Sequence, residues 1–310
     1  MENCPIILDT DPGIDDAVAL AVLNYYCPER VRLILTSYGN ISVEKTTRNA
    51  QTLRALLGWE VPVVKGSVCP ENNRYEEAAH IHGADGLGGL RLEEPLELGE
   101  AEDGDFLQRV RDMICTLGPV EYITLGPLTN LAALLRRFPE VRPHIARVVC
   151  MGGGFGVGNV TKWAEFNIHC DAESADFVFA ELPEIALIPL NITNKVAFDL
   201  EQIAEMTQPD TPLCRAMGQI LRMNYHACVN YGEKGSTMHD SAAVLYALFP
   251  ELFETERCGV RVDCGERYGE TLREESRRNV ILPREAQTPA LLERIAEAIR
   301  RERPTNGKIF

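Results

Sequence analysis

The stretch Ile6–Leu23, IILDTDPGIDDAVALAVL, constrains the fold more than any other part of the chain. An apolar run (Ile6, Ile7, Leu8) stops at Asp9, Pro12 and Gly13 follow, and apolar residues then resume at helical spacing. A short buried strand, a turn fixed by Pro-Gly and the first turns of a helix account for that pattern. Asp9, Asp11, Asp15 and Asp16 crowd the turn, and carboxylates this close repel one another at neutral pH. Acids do favour the first turn of a helix, which explains Asp15 and Asp16 but leaves Asp9 and Asp11 without a reason. A hard divalent cation supplies one, since calcium and magnesium take several carboxylate oxygens and cancel the repulsion.

The strand-to-helix unit recurs along the chain. VRLILTSYG (31–39) reads as a second buried strand, Ser42 caps a helix reaching about Leu57, Gly58 ends it, and VPVV (61–64) is a third strand. Residues 66–104 have no sustained periodicity, and a connection this long is usually functional. A helix near 105–117 then leads to VEYITLG (120–126), another strand-to-helix passage at GPLTNLAALLRRF, strand RVVCM (147–151), a helix near Asp171–Ala180 and strand IALIPL (185–190). Residues 199–250 look helical, 258–282 look like short strands around a Gly-rich turn, and Thr288–Arg301 reads as an amphipathic helix.

This alternation implies an open α/β sheet, mainly parallel with a mixed edge, with helices on both faces. Right-handed crossovers bring the C-terminal ends of the parallel strands to one edge. Asp9–Asp16, Asn40, the 125–130 turn and the 151–170 loop then surround one crevice. No linker-like composition or repeat divides the chain, so residues 1–310 are expected to form a single domain.

A net charge of −15 argues against a protein that tracks nucleic-acid phosphates or an anionic membrane. No segment has the length and apolarity of a membrane-spanning helix, and MENCPII lacks the features of a signal peptide. Ten cysteines without a C-x-x-C pair read as reduced thiols, so a cytoplasmic location is expected.

Several chemistries compete for the acidic turn. An EF-hand loop starting at Asp9 fails, because Ile14 and Leu20 stand where it needs Gly and Glu. Strand-D-x-D also resembles the start of a haloacid-dehalogenase-type magnesium phosphatase, with Asp9 as nucleophile and Asp11 beside it; this is the alternative reading. GGGFGVGN (152–159) does not fit G-x-G-x-x-G and suits a substrate loop better than a dinucleotide site. In WAEFNIHCD (163–171), an extended backbone puts Glu165 and Asn167 on one side, where with Asn159 they can clamp vicinal hydroxyls. His239 and Asp240, in MHD, open a helix as a possible proton donor and acid, or as a surface residue and a cap. His80 and His82 lie in a glycine-rich loop without a third ligand in spacing, while Met151 and Phe166 read by default as core residues.

DTDPGIDDA, TSYGN, TLGPLTN, VVCMGGGFGVGN, AEFNIHCDAE and MHD, in that order, resemble the inosine–uridine-preferring nucleoside hydrolase family. The resemblance implies the family's Rossmann-like fold, a homodimer or homotetramer, and one calcium ion per subunit. It implies calcium ligation by Asp11, Asp16 and Asp240 and by the backbone carbonyl of Leu125, with Asp15 as general base on a metal-bound water. Asn40, Asn159, Glu165 and Asn167 match ribose contacts, Met151 and Phe166 line the pocket, and His239 matches the group that protonates the leaving base. The implied reaction is hydrolysis of the N-glycosidic bond of a ribonucleoside to ribose and free base, a step of nucleoside salvage or catabolism. A ribose-binding protein without catalysis is the rival of another class. His82, Tyr225, His226 and Tyr231 are the residues available to contact the base, whose identity the sequence leaves open.

Overall fold

The computed structural model describes residues 4–72, 75–102 and 104–300. The opening follows the expected alternation: β1 (Ile6–Thr10), α1 (Ile14–Tyr26), β2 (Val31–Thr36), α2 (Val43–Leu56) and β3 (Val63–Lys65). Among its described residues the long connection carries only the four-residue α3 (Ala79–His82) before α4 (Phe106–Leu117). Next come β4 (Val120–Thr124), α5 (Thr129–Arg137), β5 (Ile145–Met151), α6 (Phe166–Cys170), α7 (Ala172–Glu181) and β6 (Ile185–Ile188). The remainder comprises α8 (Leu190–Thr193), β7 (Ala197–Phe198), α9 (Leu200–Met206), α10 (Pro212–Asn230), β8 (Ser236–Thr237) and α11 (His239–Leu248). It closes with β9 (Phe253–Asp263), β10 (Glu270–Glu274), β11 (Val280–Ala286) and α12 (Thr288–Arg300). The last residue of the expected terminal helix, Arg301, lies outside the described residues.

The main sheet has the order β10-β9-β11-β6-β5-β4-β1-β2-β3. All neighbours from β3 through to β11 are parallel, and among the described strands of this sheet only the pairings of β9 with β11 and with β10, at one edge, are antiparallel, the expected mixed edge. The order reverses at β1, between β2 and β4, which opens a crevice beyond the C-terminal end of β1. Every residue of β1 is buried, as a central strand covered on both faces requires. Its side chains alternate: Ile6 and Leu8 join one core with α1, α10, α11 and α12, while Ile7 joins the other with α4, α5 and α7. Helix α1 is apolar nearly all round because it packs between the sheet and α11, α12 and α10. No helix among the described residues is long and apolar enough to cross a membrane.

Two departures from the expected elements bear on the site. β2 stops at Thr36, because Ser37–Gly39 turn toward the crevice, with Ser37 still bonding the carbonyl of Thr10. The expected helical run 199–250 is interrupted by a ribbon in which Ala197 pairs with Thr237 and Phe198 with Ser236. Two-residue strands have too few positions to show a period, so sequence pattern misses them. The ribbon, together with Met238 N–H on the carbonyl of Val196 at 2.8 Å, ties the start of α11 to the end of α8.

Candidate active site

Two helix N-termini deliver acids to the mouth of the crevice. Asp15 and Asp16 lie in the first turn of α1, Asp240 in the first turn of α11, and their oxygens come within 4.8 Å of one another. Asp11, in the turn after β1, faces the same group: its Oδ2 accepts from Asn40 N–H at 2.7 Å, while its Oδ1 is buried without a partner. The backbone closes on this carboxylate only because Gly39 and Gly126 lack side chains. A Cβ would stand 2.1 Å from Oδ2 at Gly39 (φ +153°) and 2.5 Å from Oδ1 at Gly126.

Burial is the largest influence on all four acids and pushes them above the ordinary carboxylate range, Asp15 and Asp16 to about 6 and Asp11 and Asp240 well above it. Mutual repulsion adds to this, Asp16 acting on Asp11 and Asp15 on both Asp16 and Asp240. Buried acid oxygens from two distant segments, one of them unpartnered, form the donor set that a hard cation takes, so these residues fit calcium or magnesium. The trio within mutual reach includes Asp15, whereas the family resemblance groups Asp11 with Asp16 and Asp240.

Asn40 is a clamp as much as a contact surface. Its Nδ2 donates to the carbonyl of Asp11 and to Asp16 Oδ2, both at 3.1 Å. Asp16 also accepts from Thr10 Oγ1 and from Gly13 N–H, the latter at 2.9 Å. The Leu125 carbonyl accepts from Asn167 Nδ2 at 2.6 Å, and that amide also reaches the Met151 carbonyl and Sδ, both at 3.3 Å.

The structure corrects the extended reading of 163–171. Glu165 is the N-cap of α6: Oε1 accepts from Asn167 N–H at 2.9 Å, and Oε2 from Ile168 N–H at 3.1 Å and Gly153 N–H at 2.9 Å. Capping wins because a carboxylate satisfies the orphan N–H groups of the first turn. Glu165 thereby pins the glycine loop to α6, and Phe166, half-buried, is that helix's first residue. Asn159 is exposed and its Oδ1 accepts from Phe166 N–H at 2.9 Å.

Asp9 does not suit a nucleophile, and the phosphatase alternative is not supported. The side chain is fully buried, with Oδ2 accepting from Tyr122 Oη at 2.7 Å and Oδ1 from Asn130 Nδ2 at 2.8 Å. Burial outweighs these bonds and lifts its carboxyl to about 7.

His82 ends α3 with 8% exposure, and its Nδ1 accepts from Ile14 N–H, at the start of α1, at 3.1 Å. Burial, with His239 and His80 adding to it, pushes the ring down to about 3. His239, the first residue of α11, has Nδ1 2.7 Å from Thr193 Oγ1. Burial lowers it too, opposed by Glu233 and Glu165. Tyr225 and His226 lie near the end of α10, and exposed Tyr231 meets the His80 ring edge-on at 5.7 Å. Asn49 bonds the carbonyls of Pro12 and Asp85 at 3.0 and 2.8 Å, holding the long connection over the acidic turn.

Sequence reasoning assigned nothing to Asn130, Thr193 or Glu233. Asn130 bonds Asp9, the Thr36 carbonyl at 3.2 Å and Ser67 N–H at 2.8 Å, joining three strand ends. It stands in the TLGPLTN passage, which could have flagged it; Thr193 carries no local signal.

The profile described as inosine-uridine preferring nucleoside hydrolase matches residues 6–301. The non-specific ribonucleoside hydrolase RihC of Shigella dysenteriae is 38% identical over 269 residues, covering 84% of each chain. A purine-preferring ribonucleoside hydrolase from Gardnerella vaginalis superposes with a TM-score of 0.89 at 26% identity, covering 96% of this chain and 98% of that one. An inosine-uridine preferring nucleoside hydrolase from Bacillus anthracis shares the fold, with a TM-score of 0.77 at 18% identity over 96% of this chain and 99% of that one. The nearly complete profile match and the shared sequence and fold establish that this chain belongs to the inosine-uridine preferring nucleoside hydrolase family, a family of N-glycosyl hydrolases.

Proposed function

We propose that this chain, acting as one catalytic domain and as a homodimer or homotetramer, performs calcium-dependent hydrolysis of ribonucleosides to ribose and free base. The observation that carries the reading is the convergence of Asp11, Asp15, Asp16 and Asp240 on one buried point at the switch in strand order. Asp11, Asp16 and Asp240, with the Leu125 carbonyl, would hold calcium, which when bound supplies a fixed double positive charge that orients the sugar diol and acidifies a water.

The chain's own groups do the rest. N-ribosyl cleavage passes through an oxocarbenium-like sugar, and a site lined by carboxylates stabilises positive charge there. Asp15, at 9% the most exposed of the four acids, takes the proton of the attacking water. Asn40, Glu165, Asn167 and Asn159 contact the ribose hydroxyls and fix the ring, with Met151 and Phe166 beside them. His239 donates to the nitrogen of the departing base, which otherwise leaves as an anion, and His82 faces the base.

One observation favours a second assignment within the same reaction. Asp15 lies in the tight trio with Asp16 and Asp240, while Asp11 has an unpartnered oxygen. In that version Asp15 is a ligand and Asp11 Oδ1 takes the proton.

Incubating the calcium-loaded protein with inosine, uridine and cytidine, and assaying reducing sugar and free base, tests the reading. Release that stops on chelation and returns with calcium supports it. Binding without release would mark a ribose-binding protein instead.

A further inference from the structure

We infer that Thr193 is a positioning residue that fixes the hydrogen of neutral His239 on Nε2, so that the ring meets the departing base as a donor. The inference refines the proposed role of His239 and rests on it: a neutral ring gives the departing nitrogen a hydrogen bond and keeps its one hydrogen, since passing it on would leave an imidazolate, so the base leaves as a hydrogen-bonded anion and takes its proton from solvent. Thr193 ends the short helix α8, just after β6, and is fully buried. Its own N–H is taken up by the Pro189 carbonyl at 3.1 Å. Among the described residues its hydroxyl has one hydrogen-bond partner, His239 Nδ1 at 2.7 Å.

A buried hydroxyl places its hydrogen on an acceptor when one is in reach. Here that acceptor is Nδ1. A neutral imidazole carries one hydrogen, so an accepting Nδ1 leaves it on Nε2. The opposite tautomer would have Nδ1–H donate to Oγ1, strand the hydroxyl hydrogen and present a bare lone pair at Nε2. That form cannot donate to a nitrogen gaining negative charge.

The same logic operates at the second ring. Ile14 N–H, a backbone donor with no alternative role, points at His82 Nδ1 at 3.1 Å. His82 therefore also carries its hydrogen on Nε2. Two unrelated donors, one backbone and one hydroxyl, impose one tautomer on both histidines. The β7–β8 ribbon and the bond from Met238 N–H to the Val196 carbonyl hold α8 and α11 at the spacing that the Thr193 contact requires.

The test compares T193V, which keeps the shape and removes the hydroxyl, with T193S, which restores it. Both are assayed on inosine or uridine and on p-nitrophenyl riboside, whose leaving group needs no donor, with H239A as reference. T193V is expected to lose about tenfold or more in kcat/KM on the nucleoside and less than about twofold on the nitrophenyl substrate, with T193S near wild type. Equal loss on both substrates, or loss on neither, overturns the inference. If H239A is selective and T193V is not, Thr193 has no such role while the reading of His239 stands; if H239A itself is unselective, that reading fails first. A nitrogen-15 spectrum of histidine-labelled wild type, with His239 identified through H239A, reads the tautomer without relying on how T193V folds. Hydrogen on Nε2 supports the inference and hydrogen on Nδ1 overturns it.

Discussion

Removing the metal should leave a protein whose stability falls as pH rises, and the size of the fall follows from the buried acids. Asp15 and Asp16 are lifted from 3.8 to about 6, with burial the leading cause. A carboxyl whose folded value exceeds its unfolded one binds its proton more tightly in the native state. Its penalty is absent below pH 4, grows as pH passes between the two values, and is complete above the folded value. Roughly two pK units correspond to about 3 kcal/mol, and the pair titrates together, so we take one such penalty for the two. For a chain this long, 1 kcal/mol moves the melting temperature by about 2 °C, and about half of the penalty is already present at pH 5, so this pair alone should make the chelated protein melt about 3 °C lower at pH 8 than at pH 5, with Asp9, Asp11 and Asp240 adding in the same direction. On the proposed reading, calcium would bind the ionised form and stabilise the protein by mass action, about 2.7 kcal/mol at a hundred times its dissociation constant. Differential scanning calorimetry with chelator and with calcium, at pH 5 and pH 8, measures both effects. A chelated protein that melts at the same temperature at the two pH values, or that calcium does not stabilise at pH 8, refutes the reasoning.

Three other outcomes are expected. Asp15→Asn should lower kcat by about two to four orders of magnitude with calcium stoichiometry unchanged, whereas Asp11→Asn should release calcium in equilibrium dialysis; the reverse result assigns the base to Asp11. Asn130→Ala strips the buried Asp9 and the Ser67 N–H of a partner and should cost about 2–4 kcal/mol in urea unfolding, and a change within 0.5 kcal/mol would show those bonds to be dispensable. Ribose binding through hydroxyl contacts predicts that 2′-deoxynucleosides lose at least about a hundredfold in kcat/KM against ribonucleosides, and equal turnover of the two would remove the diol from recognition.

Some of this was legible because it is local. Ile6–Leu23 announces a strand, a turn and a helix within one window, and repetition of that unit implies parallel strands whose C-terminal ends gather the loops. The acids of the opening turn declare themselves by their crowding. The extended reading of Glu165 and Asn167 fails for an equally local reason: spacing of two fits an extended segment, but a carboxylate ahead of a helix is drawn to its unbonded N–H groups.

By itself, then, the sequence determined the alternating α/β frame, the edge where the site lies and the acids that enter it, since periodicity and turn chemistry act over a few residues. Tertiary structure alone decided which polar atoms meet. Asn130 reaches Asp9 across 121 residues, Thr193 reaches His239 across 46, and Ile14 reaches His82 across 68. Such bonds depend on how whole elements pack, and a buried donor takes whichever acceptor the packing brings within 3 Å or so. The frame is written in the chain's short-range pattern, while which polar groups of the candidate site face one another comes from the fold.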